Sequence, residues 1–169
     1  MIRAALLLLV FASGTLHAEE CGVSGTKAIL PFAGTWRSED GDEVGFGRGL
    51  RTYRYGDMEK PAAAHLVPKN GQEDADDVHL DCQTLDAAGI DRMLAELDEY
   101  VAALPDNGDE RGTMVTLRSR LRHPPYHLVT EEGDESISRF ILLNGELLEV
   151  WEGEARLTLH HYRKVQPRP

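Results

Sequence analysis

The sequence predicts a mainly β protein: an antiparallel meander of about seven to eight strands, closed into a barrel or strongly bent, with one amphipathic α-helix inserted between the early and middle strands. Three observations carry this. Strand-like runs alternate with turn dipeptides, most densely from residue 113 onward, where a turn falls about every eight to twelve residues. A single segment, at about 84–104, has its apolar residues at helical spacing. The first strand candidate, "AILPFAGTWRS", runs straight into the tight-turn dipeptide Asp40-Gly41.

The elements follow in order. Residues 1–18 read as an export signal: Arg3 supplies the positive end, "AALLLLVFA" an apolar run of nine, and Ala18 a small residue before the polar Glu19-Glu20. That run falls well short of the ~20 residues a membrane-spanning helix needs. Cys21 lacks the small residues that a lipid-attachment signal places directly before its cysteine. The expected mature chain, 19–169, is one domain, large enough to bury a core without metal or a dense disulfide framework. Its two cysteines, Cys21 and Cys82, are expected to bridge in an oxidising compartment, closing a loop of about 61 residues and stabilising by roughly 4 kcal/mol.

From Glu43, "EVGFGRGLRTYRY" reads as the second strand, and Gly45, Gly47 and Gly49 at period two let a strand bend or a neighbour approach closely. "AAAHLVPKNGQEDADD" reads as an acidic loop and "VHLDCQ" as one further short strand. In "TLDAAGIDRMLAELDEYVAALP", Ile90, Leu94, Leu97, Val101 and Leu104 form an apolar stripe opposite acidic residues. Thr84 or Asp86 is placed to cap the helix, and Pro105 and Gly108 end it. Such a stripe must cover apolar surface, here the open side of the sheet or one mouth of a barrel. "TMVTLRSRLR" then reads as a strand ending at Pro124-Pro125, and "YHLVTEE" as one closed by Gly133-Asp134. "SISRFILL" and "ELLEVWE" pair around Asn144-Gly145, and Glu152-Gly153 turns the chain into "ARLTLHHYRKV".

Gly34-x-Trp36 near the start, the meander after it, and a last strand ending in Arg163-Lys164 resemble the pattern of the lipocalins and the wider calycin group. The resemblance implies a barrel whose first-strand tryptophan, Trp36, sits at the closed end beneath a basic residue of a late strand. Arg163 or Lys164 would supply that aromatic–cation contact. The resemblance covers these residues and the overall architecture. The helix departs from it, since a lipocalin carries its helix after the last barrel strand.

Motifs for chemistry are sparse. "GFGRG" is followed by a strand, not by the helix whose N–H groups a phosphate loop needs. "EDADDVHLD" puts Val78 where an EF-hand needs its next oxygen ligand. "GVSGT" lacks the second glycine of a nucleophile elbow. His123, His127, His160 and His161 stand at strand ends without the convergent spacing of a zinc or copper set. His160 shares a face with Thr158 and Tyr162, and His161 with Leu157 and Leu159. Arg118, Arg120 and Arg122 fall at period two on the predicted strand "TLRSRLR", opposite Val115, Leu117 and Leu121. This cationic stripe is either a docking surface or, by preference, a set of cross-strand partners for carboxylates such as Glu131, Glu149 or Glu152. No metal or cofactor is expected.

The formal net charge is −11, and loss of Arg3 with the signal makes it −12. Such a field disfavours nucleic acid and anionic membranes and favours cationic partners. The expectation is an exported, non-catalytic binding protein of the bacterial envelope, soluble in the periplasm or secreted. It would be of the immunity-protein or cell-wall-hydrolase-inhibitor type, acting on a cationic toxin or lysozyme-like hydrolase. The alternatives are a carrier of a small apolar ligand inside the barrel and an envelope enzyme. Contact candidates are Arg118, Arg120, Arg122, His160 and Tyr162; Trp36, Arg163, Leu94, Leu97 and Val101 are read as structural. A carrier needs an interior cavity of ~300–1,000 Å³, whereas an inhibitor can have a filled core.

Overall fold

A computed structural model of the chain describes residues 30–47, 50–68, 77–133 and 135–166. The expected signal peptide, Cys21, Gly49 and the acidic stretch 69–76 lie outside the described residues. A single 3-10 turn, Leu30–Phe32, leads into β1 (Gly34–Ser38), β2 (Glu43–Gly47), β3 (Leu50–Arg54), β4 (Ala62–Pro68) and β5 (Asp77–Leu85). Two helices follow, α1 (Ala87–Ala103) and α2 (Gly108–Arg120). Then come β6 (Tyr126–Glu132), β7 (Ser136–Leu143), β8 (Glu146–Gly153) and β9 (Arg156–Lys164).

The strands form a closed barrel in sequence order, with β9 returning to β1. Trp36 stands opposite Lys164, Arg37 opposite Arg163 and Ser38 opposite Tyr162, and the Val165 N–H donates to the Thr35 carbonyl at 2.8 Å. Closure leaves no free sheet edge. A closed barrel whose neighbours all run antiparallel needs an even number of strands, so nine strands force one parallel junction. It falls between β4 and β5, where Leu66 lies opposite Val78. Among the described residues the expected antiparallel meander is broken at this junction.

Two differences from the sequence reading add a strand each and a third, in the helical region, removes one, so that eight expected strands become nine. "EVGFGRGLRTYRY" is a hairpin, with Gly47 opposite Leu50, and not one bent strand. Ala62–Pro68, read as loop, is β4. Alanine has little strand preference of its own; hydrogen bonding to β3 on one side and β5 on the other decides the conformation.

The predicted helix is present as α1, and Asp86, not Thr84, caps it, its side chain accepting from the Gly89 N–H at 2.7 Å. The segment read as the strand "TMVTLRSRLR" is instead mostly α2. Met114, Leu117 and Leu121 are buried, at steps of three and four, while Val115, expected inside, is 69% exposed. Asp109 and Glu110 in its first turn and Arg118 and Arg120 in its last complement the helix dipole, a signal that outweighs the β-branched residues between them.

Strands β6–β9 are apolar on both faces, and that decides where the helices go. Inward, Val129, Phe140, Leu147 and Tyr162 join Phe32, Trp36, Val44, Phe46 and Cys82. Outward, Leu128, Ile141, Leu148, Val150 and Leu157 meet Leu94, Leu97 and Val101 of α1 and Met114 and Leu117 of α2. The helices therefore cover the outer wall, not an open side or a mouth. A buried ion pair, Arg139 with Glu152, lies on that same wall, with Glu96 of α1 4.0 Å from Arg139. Among the described residues no helix is long and apolar enough to cross a membrane.

The two ends of the barrel differ. At one end Trp36, 2% exposed, donates its indole N–H to the Phe32 carbonyl at 2.7 Å, and Lys164 Nζ lies 5.3 Å from its ring centre. Lys164, not Arg163, makes this contact; Arg163 is exposed and reaches Glu39 at 3.9 Å. The other end carries the turns after β1, β3, β6 and β8. The last of these is Glu154-Ala155, two residues beyond the expected Glu152-Gly153, and both residues are left-handed, with φ of 48° and 58°.

Replacing Trp36 by alanine is expected to cost about 3–5 kcal/mol in urea unfolding, the usual range for a buried aromatic. Ala155→Gly should stabilise by about 1 kcal/mol, because a left-handed alanine is strained and glycine is not. A Trp36→Ala loss below ~1 kcal/mol would remove Trp36 as the anchor of the closed end.

Candidate functional site

The site begins with the alternation of β3. Register sets Arg51 opposite Phe46 and Tyr53 opposite Val44, so both side chains enter the barrel above its apolar floor. Arg51 is 3% exposed. Its Nε donates to Glu131 Oε1 at 2.7 Å, Nη1 to the Thr52 carbonyl at 2.8 Å and Nη2 to the Tyr55 hydroxyl at 2.9 Å. Its guanidinium lies 4.8 Å from the ring centre of Phe140 and 5.6 Å from those of Phe46 and Tyr53.

A second carboxylate completes this layer. Glu149 of β8, also 3% exposed, accepts from the Tyr162 hydroxyl at 2.6 Å and from the Ser138 hydroxyl at 3.0 Å. One buried cation thus faces two buried carboxylates, and the protonation equilibria follow. Burial pushes the Glu131 carboxyl up to about 7, against the pull of Arg51 and with the added push of Glu149. Burial likewise raises the Tyr55 hydroxyl to about 12, and burial together with Glu149 raises that of Tyr162. Burial works against the Arg51 charge, but Glu131, Tyr55 and Glu149 hold its pKa above the usual range.

Above the layer the barrel opens into a cavity of about 590 Å³. Tyr53 and Tyr55, stacked at 5.6 Å, form one wall, and Trp151 and Thr158 the other. Gly153 makes room for Trp151: a Cβ there would stand 2.7 Å from the indole. The β8–β9 turn above is tied to α1 by the Tyr100 hydroxyl, which donates to the Arg156 carbonyl at 3.1 Å. The rim is acidic. Asp42 and Glu154 line the opening, and Glu39, Asp40, Asp57, Glu59 and Glu135 are exposed on the same set of turns. A second cavity of about 390 Å³ lies over β1 and β9 beside α2, lined by His160 and Tyr162 as well as by ion-paired surface groups such as Arg120, Glu146 and Arg163.

The sequence-derived candidates separate into two groups. His160 and Tyr162 share the inner face of β9: His160 lines the cavity, 3.1 Å from the Thr158 hydroxyl, and Tyr162 lies beneath it holding Glu149. The three arginines come from α2 and the residues just after it and do not form a strand stripe, although Arg120 lines the second cavity together with His160 and Tyr162. Arg118 pairs with Asp98 of α1; Arg120 meets Glu146 at 3.4 Å and the ring of His161 at 3.4 Å; Arg122 follows the helix, exposed. Of the carboxylates expected to neutralise them, Glu131 serves Arg51, Glu152 serves Arg139, and Glu149 accepts from the Ser138 and Tyr162 hydroxyls. Cys82 is buried on the inner face of β5, and its expected partner Cys21 lies outside the described residues.

Arg51, Glu131, Glu149 and Trp151 were not among the sequence-derived contact residues. "LRTYRY" and "ELLEVWE" carry the signal, a period-two set of Arg51, Tyr53 and Tyr55 and another of Leu147, Glu149 and Trp151.

Fold and site together define a small closed β-barrel with a filled apolar base and a polar, aromatic-walled mouth. No protein-family model, curated protein or solved structure matches the chain.

The Glu131 carboxyl should leave a pH signature. Its folded pKa, about 7, lies above the 4.5 of the free group, so between these values the folded state holds a proton that the unfolded state has lost. Stability therefore falls as pH rises through that window. The groups facing it are Arg51, Tyr55 and Glu149. Measured by denaturant titration, Glu131→Gln should gain on the wild type from pH 4.5 to 7. A wild type that gains on the variant would mean a carboxylate with a lowered pKa.

Proposed function

We propose that this protein is a non-catalytic binding protein whose barrel mouth takes a small ligand. The observation that carries this reading is the cavity of about 590 Å³, within the ~300–1,000 Å³ of ligand pockets. Its aromatic side walls offer area, and its buried polar floor offers orientation. The reading inverts the order of the two expectations drawn from sequence, because an inhibitor acting through its rim has no use for a hollow interior. The apolar-ligand form of the carrier reading is also modified: the base of the barrel is filled by Phe32, Trp36, Phe46 and Phe140, so an occupant sits in the wet, polar half.

A cationic protein partner is the second reading, and the acidic rim favours it. Glu39, Asp40, Asp57, Glu59 and Glu135 project around one end, where electrostatic steering would act on an approaching basic surface. Export to the periplasm or beyond remains part of both readings, resting on residues 1–18.

The test uses the neutral dye N-phenyl-1-naphthylamine, whose emission rises in a partly apolar site. Saturable binding of one dye per chain is expected, with a change in Trp151 fluorescence. Thr158→Phe, which places a ring in the cavity, should abolish it while far-ultraviolet dichroism is unchanged. Absence of saturable binding, with a basic protein captured at the rim, would put the second reading first.

A further inference from the structure

We infer that the mouth cavity selects a small organic cation, an ammonium group carried on a flat apolar body. The inference rests on the ligand-binding reading and specifies its substrate class.

The charge around the cavity points one way. Asp42, Glu131, Glu149 and Glu154 line it, against Arg51 and Arg156. Arg51 is not available to an anion: its three nitrogens already donate to Glu131, Thr52 and Tyr55. A carboxylate or phosphate entering the cavity would have to displace Glu131 and pass Glu149. Arg156 stands exposed at the rim, where pairing with an anion adds little.

Glu149 is the group a cation would reach. Its oxygens accept hydrogen bonds from Tyr162 and Ser138, and among the described residues no basic group forms an ion pair with it. Each carboxylate oxygen accepts more than one hydrogen bond, so room remains for an ammonium donor. A buried anion whose hydrogen-bond donors are all hydroxyls, and whose nearest cation Arg51 is bonded to Glu131 instead, is costly, and an incoming cation offsets that cost directly. Among the described residues no three histidine, cysteine or carboxylate groups converge as metal ligands, so the arrangement suits an organic cation and not a metal ion. The walls fit the rest of such a molecule. Tyr53, Tyr55 and Trp151 line the cavity, and aromatic rings suit both a cation and a planar apolar body. The strain in the Glu154-Ala155 turn is consistent with this, because that turn brings one more carboxylate to the opening.

The experiment compares three probes of one shape and three charges by isothermal titration at pH 7.5: phenethylamine, 2-phenylethanol and 3-phenylpropionate. Phenethylamine is expected to bind at least tenfold more tightly than either of the others, and Glu149→Gln to remove that preference. Equal or tighter binding of the alcohol or the carboxylate would overturn the cation assignment and leave the ligand-binding reading standing. Failure of all three to bind would overturn both. The wild-type ranking decides the matter even if Glu149→Gln does not fold.

Discussion

One buried guanidinium organises the interior of this barrel. Arg51 enters from β3 at the level where the apolar base ends, and a charge placed there must find partners or leave. It finds Glu131 from β6, the Tyr55 hydroxyl and the carbonyl beside it, and three aromatic faces around it. These contacts join strands from opposite sides of the closed sheet. They also set the depth of the cavity, because apolar side chains fill the space below the layer and polar ones cannot close the space above it. Ion pairs of this kind contribute little net stability compared with an apolar core, but breaking one leaves an unpaired buried charge. The layer therefore specifies which side chains face inward more than it strengthens the fold.

The outer wall obeys the same logic with different residues. A strand buried on both faces needs a cover on each, and the barrel interior covers only one. The insertion between β5 and β6 supplies the other. α1 and α2 lie across the apolar outer face of β6–β9, and Asp98–Arg118 joins them to each other. Tyr100 then links α1 to the turn that carries Glu154 over the mouth. A helix pair that stabilises the wall thus also holds one side of the opening.

Much of this architecture was legible in the sequence, and the failures have physical causes. Hairpins with Asn144-Gly145 and Asp40-Gly41 are local, and their turn chemistry suffices. The stripe of α1 is long and regular, and the Trp36 contact needed only two short motifs at the chain's ends. By contrast, β4 is set by its neighbours and has no strong preference of its own. For α2, a period-two set of arginines coincided with a sparse helical set of Met114, Leu117 and Leu121, and the sign of its end charges distinguished them. The site was harder still. Period two shows that Arg51, Tyr53 and Tyr55 share a face, but Thr52 and Arg54 on the other face are polar too, so composition does not say which face is inside. Pairing of Arg51 with Glu131, 80 positions away, is a consequence of closure and is invisible to any local pattern.

The central claim is that one cation is shared between two buried carboxylates, so that the floor of the cavity holds an excess of negative charge. A carbon-detected NMR titration of the side-chain carboxyl of Glu131, assigned with the Glu131→Gln variant, measures this directly. The account predicts a midpoint near 7, as burial beside Glu149 requires. A midpoint at or below the ordinary 4.5 would mean that Arg51 outweighs burial and Glu149 at this carboxyl, and would contradict the account of one cation shared between two buried carboxylates.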